Sequence, residues 1–131
     1  MQDEPSRRLI DQRIRNRIME AIATLAEGDE GVRAVGPHEY FESFYDWVPH
    51  RDEDRPAASV AALSPAEREA VVEVSCILDD ACDATPRRMT VEAFTATGWP
   101  ARIQPVARKA FDLMRERGRF SEDREEEVPS G

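Results

Sequence analysis

The sequence predicts an all-α protein, an irregular bundle of about five helices, on three observations. Apolar residues recur at spacings of three and four, as in Ile10, Ile14, Ile18, Ile22 and Leu25. Ser, Thr, Pro and Gly stand where helices start and stop. No segment shows the four to eight alternating β-branched or aromatic residues that a strand would need.

Ser6 caps a first helix over 7–27, and Gly28 supplies a left-handed stop. Its other faces carry Arg7, Arg8, Arg13, Arg15 and Arg17, which we expect to pair with acids across the bundle. Pro37 suits a first helical position, and Phe41, Phe44, Tyr45 and Val48 follow at helical spacing until Pro49, giving a second helix over 37–48. Residues 49–63 are charged and then small, and predict a long acidic surface loop. Ser64-Pro65-Ala66-Glu67 combines an N-cap, a first-turn proline and a capping-box glutamate, and so opens a third helix over 65–83. On that helix Ala70, Val71, Val74, Ile77, Leu78, Ala81 and Cys82 share one arc, and Glu69, Glu73, Cys76, Asp80 and Asp83 the opposite one. Thr90 caps a short helix to Thr97, closed by Gly98. Pro105 disfavours helical geometry at Gln104, so the last helix is expected to be irregular over 100–104 and regular from 105 to the stop at Gly118. One domain over 1–120 follows, with 121–131 as a disordered acidic tail, because that stretch holds five acids and one clearly apolar residue.

Composition narrows the function. Acids outnumber bases by 27 to 18, a net charge of −9 that repels phosphate backbones, so no nucleic-acid partner is expected. The uncharged stretch Ala57 to Ala66 is too short to span a bilayer, and the N-terminus lacks an export signal. A cytoplasmic protein with no membrane partner is therefore expected. A single lysine against 17 arginines reads as genomic base composition.

Familiar catalytic and metal patterns fail. His38-Glu39-x-x-Glu42 has glutamate where a zinc-binding helix needs its second histidine. Cys76 and Cys82 lie about 9 Å apart along one helix, too far to bridge, and their five-residue gap does not suit a shared tetrahedral ion. Glu69, Glu73, Asp80 and Asp83 lack the histidines of a di-iron bundle. Among short motifs there is no nucleophile elbow, dinucleotide fingerprint or phosphate loop. No cofactor or metal is expected.

The most distinctive segment is the second helix and its following loop, which hold Tyr40, Phe41, Phe44, Tyr45 and Trp47, five of the nine aromatics. The wheel puts Tyr40 and Trp47 on a flank beside Glu39, Glu42, Asp46, Asp52, Glu53 and Asp54. Acids around aromatic anchors suit a basic protein partner, as an inhibitor, immunity or adaptor module would recognise. The competing reading is that two neighbours cover this helix and its flank is core. A different class, a small enzyme or ligand-binding domain, would use His38 and carboxylates around a pocket. A flat exposed aromatic patch would favour the first class, and a concave pocket where His38 meets a carboxylate of another helix the second.

Overall fold

The computed structural model describes residues 5–53 and 62–126, and all regular structure among them is helical. The helices are α1 (Arg7–Leu25), α2 (Asp29–Tyr45), α3 (Pro65–Ala84), α4 (Val91–Ala96) and α5 (Trp99–Arg117). α5 packs against both α1 and α3, α1 lies on α2, and the short α4 bridges α2 and α5. None of these helices is long and apolar enough to cross a membrane.

Local chemistry sets the helix ends. The hydroxyls of Ser6, Ser64 and Thr90 accept hydrogen bonds from the amides of Leu9, Glu67 and Ala93. α2 begins eight residues before the expected start. The sequence 28–36 holds Gly28, Gly31 and Gly36, and each has a packing or conformational role. At Gly31 a Cβ would lie 2.2 Å from the carbonyl oxygen of Thr24, so only glycine lets the first turn of α2 settle on the end of α1. Gly36, at φ 86° and ψ 158°, kinks the helix ahead of Pro37. α5 runs unbroken from Trp99 through Pro105, contrary to the expected irregular start. Burial of Pro100, Ile103, Ala107, Ala110 and Met114 outweighs the roughly 3 kcal/mol that an interior proline costs.

The amphipathic split of α3 is as expected, with Val74, Leu78 and Ala81 fully buried and Glu69, Glu73, Cys76, Asp80 and Asp83 exposed. Both cysteines are free. α1 differs from its expected stripe. Ile10 is 36% exposed, whereas Asp11, Gln12, Arg15 and Asn16 are buried beside Ile18, Ile22 and Leu25. The N-terminal half of α1 thus buries polar side chains, and what covers them explains why.

Arg15 reaches across the core to Glu67, the capping-box residue of α3. Its Nε and Nη2 donate to the two carboxylate oxygens at 3.2 and 2.7 Å. Arg117 binds the same carboxylate at 3.1 and 2.5 Å, and the Ser64 amide adds a fifth donor at 3.1 Å. Arg15 spends its other donors on the carbonyls of Met114 and Gly118 at the end of α5. Burial pushes the Glu67 carboxyl up, but the hydrogen bonds from Arg15, Arg117 and Ser64 outweigh it and hold the group below its ordinary range. The Phe120 ring closes this cluster, with the guanidinium carbons of Arg15, Arg117 and Arg8 at 4.6, 5.0 and 5.5 Å from its centroid.

The stretch after Phe120, expected to be a solvated tail, is hydrogen-bonded to α1 through residue 126. Asn16 brackets the Phe120 backbone, accepting from its amide at 3.0 Å and donating to its carbonyl at 2.9 Å. Gln12 donates to the carbonyls of Ser121 and Arg124 and accepts from the amide of Glu126. Arg13 binds the Glu122 carbonyl, and Arg17 and Asn16 bind its carboxylate at 3.0 Å. Polar side chains can be buried on α1 because they serve as partners for an irregular backbone. Residues 127–131 of the expected tail, and 54–61 of the expected loop, lie outside the described residues. The end of that loop is not surface, since Ala62 and Leu63 are buried in the core.

Deleting residues 122–131 strips partners from Gln12, Arg13, Asn16 and Arg17. We expect a loss of about 2 kcal/mol and a melting temperature lower by several degrees in thermal denaturation. An unchanged melting temperature would show that this docked segment contributes nothing to the fold.

Candidate functional site

The kink at Gly36 turns the second part of α2 so that it faces the end of α3 and the connection to α4. Between them lies a cleft of about 810 Å³. One wall is Val35, Pro37, His38, Phe41, Glu42 and Tyr45 from α2. The other is Cys82, the Thr85–Met89 connection with Arg87 and Arg88, and Phe94 of α4. The floor is aromatic. Phe41 stacks parallel to Tyr45 with centroids 6.4 Å apart and lies 5.3 Å from Phe94. His38, Arg87 and Arg88 are exposed and make no hydrogen bond or ion pair with any described residue.

The residues singled out on the second helix separate into three environments. Tyr40 is fully buried, edge-on to Phe41 and Phe94 at 5.7 and 5.5 Å, so it is core and not an exposed anchor. The 100° wheel put it on a flank; α4, a short helix expected from its caps, packs over that flank through Phe94. Trp47 is half-buried and packs on the core from the turn directly after α2. Glu39, Asp46, Asp52 and Glu53 are exposed, while Glu42 is half-buried in the cleft wall. Asp54 lies outside the described residues. His38 does sit in a concave pocket, but its carboxylate neighbour there, Glu42, comes from its own helix, and the facing wall carries arginines.

Sequence reasoning did not foresee the corner where the turn after α2 meets the last turns of α3. Tyr45 donates to Asp79, which is buried, at 2.7 Å, and the Arg51 amide donates to the other oxygen of Asp79 at 3.3 Å. The Arg51 side chain binds Asp80 at 2.7 Å and Asp83 at 3.0 Å. His50 Nε2 lies 2.8 Å from Asp83 Oδ1, and its Nδ1 accepts from the Asp52 amide at 2.9 Å. This corner anchors the exit of α2 to α3. The only sequence signal for it was the acidic face of α3, which reads equally well as solvated.

Ionisation reflects these surroundings. Burial and then Asp29 push the Tyr40 phenol well above its ordinary value, and its hydroxyl has no hydrogen-bond partner among the described residues. Burial, followed by the hydrogen bond to Asp79, does the same to Tyr45. Burial and the charges of Asp83 and Asp79 push the Cys82 thiol up, so it is a poor nucleophile as it stands.

No known protein family, curated protein or solved structure matches the chain.

The chain has two tyrosines, and both are shifted the same way. Because the folded state raises their values above the unfolded one of about 10, it gains stability from neutral phenols below that pH and loses it as pH rises through the folded values. A spectrophotometric titration should therefore show no phenolate at about pH 11 while circular dichroism still reports helix. Phenolate appearing at its ordinary pH in folded protein would put Tyr40 or Tyr45 at the surface.

Proposed function

We propose that this protein is a binding module whose site is the cleft between α2 and the α3–α4 connection, and whose ligand pairs an apolar body with an anionic group. The cleft itself carries the reading. Its volume of about 810 Å³ falls in the range of small-ligand sites, and its aromatic lining with a few polar groups is the composition such sites share. The polar groups give the ligand its charge. In a protein of net charge −9, the two arginines and the histidine at this rim are not engaged by any described acid, so an anion entering here meets donors already in place.

A second reading, recognition of a basic protein surface, draws on the exposure of Glu39, Asp46, Asp52 and Glu53. Burial of Tyr40 removes one of its two anchors and leaves the half-buried Trp47. The cleft therefore takes precedence.

Anilinonaphthalene sulfonate, an aromatic ring system carrying one anionic group, probes the first reading. We expect saturable binding at one site per folded chain, with amide shifts confined to the two walls of the cleft. Arg87→Ala together with Arg88→Ala should weaken it by about tenfold, equivalent to about 1.4 kcal/mol, without altering the melting temperature. Binding that ignores the arginines, or shifts centred on Asp46 and Trp47, would transfer the function to the acidic face.

A further inference from the structure

The turn after α2 and the end of α3 bring together three side chains of the types that bind zinc. A ring nitrogen of His50, the thiol sulfur of Cys82 and a carboxylate oxygen of Asp83 all lie within 4.8 Å of one another. Tetrahedral zinc, with bonds of about 2.0–2.3 Å, spaces its ligand atoms roughly 3.3–3.8 Å apart, so closure asks for movements on the order of 1 Å. We infer that His50, Cys82 and Asp83 form a binding site for a divalent transition-metal ion of the zinc class.

The surrounding groups fit that assignment. Arg51 engages Asp83 through Oδ2, leaving Oδ1 directed at His50 Nε2, where the ion would sit. Among the described residues, Asp52, Asp79, Asp80 and Asp83 outnumber the guanidiniums of Arg51 and Arg87 and leave the corner negative and attractive to a cation. Metal binding changes the outer contacts of His50. With Nδ1 accepting from the Asp52 amide, the ring proton of the metal-free protein is on Nε2, shared with Asp83. Metal at Nε2 moves that proton to Nδ1, so the Asp52 amide that now donates there must turn away, and the Asp52 carboxylate, 3.8 Å off, must close in to accept. Asp83 binds as the carboxylate it already is, and the Cys82 thiol gives up its proton to solvent. One proton is thus released per ion.

Three protein ligands leave a fourth position for water or another donor. Cys82 also lines the cleft, so the ion would lie at its edge. The site does not depend on what the cleft binds, and the metal alone tests it.

Cobalt(II) added to the full-length chain should produce a thiolate-to-metal charge-transfer band that saturates at one ion per chain and is displaced by zinc. Cys82→Ser should abolish the band, and His50→Ala or Asp83→Asn should weaken cobalt binding by about tenfold or more. Cys76→Ser, on the exposed face of α3, should leave it unchanged. Circular dichroism on each variant confirms that the helices persist, and the wild-type titration needs no variant. Absence of a saturable charge-transfer band in the wild type, or a band that survives Cys82→Ser or requires Cys76, would overturn the assignment.

Discussion

A carboxylate with almost no access to water must be matched, and Glu67 is matched by residues from three separate parts of the chain. Arg15 comes from α1, Arg117 from the last turn of α5, and the Ser64 amide from the start of its own helix. Leaving any of these charges alone in the core would cost several kcal/mol, so the cluster forms only when all three elements are in register. The same Glu67 side chain completes the capping box of α3. One residue thereby ties the local start of a helix to the global arrangement of the bundle.

Much of the remaining structure follows from that requirement. Two guanidiniums on one carboxylate leave a positive excess, and the Phe120 ring face together with the carbonyls of Met114, Gly118 and Ala62 absorbs it. Holding Phe120 in place fixes the chain beyond α5, whose backbone then needs partners, and Gln12, Arg13 and Asn16 provide them. The face of α1 toward this segment is therefore polar although buried. The cleft lies away from this cluster, formed by the α2 kink, the end of α3 and α4, where the fold places aromatic side chains against a short connection bearing two arginines.

The sequence made the helices legible where apolar period and caps agreed. Ser64 to Glu67 located the start of α3, and the wheel sorted its faces correctly. α1 was misjudged because period alone cannot distinguish a buried isoleucine from an exposed one when polar neighbours are recruited by a distant segment. Ile10, placed on the apolar stripe, is exposed and Arg15, placed on another face, is buried for that reason. The early turns of α2 were hidden by glycines whose purpose, close approach at Gly31 and a kink at Gly36, depends on tertiary placement. His38 and Glu42 could be flagged from the sequence, but Arg87, Arg88 and Phe94 join them only through folding. The meeting of His50 with Asp83 was equally invisible, because the histidine lies in an irregular turn and the acid on a face that looked solvated.

Glu67→Gln provides the most direct test, since it preserves the volume and the capping geometry while removing the charge. If the buried cluster organises the bundle, denaturant unfolding of the variant should show a loss of about 3–5 kcal/mol. Combination with Arg15→Met should then recover part of it, with a coupling energy of about 1–3 kcal/mol. A loss below about 1 kcal/mol with no coupling, the behaviour of an exposed ion pair, would contradict the account.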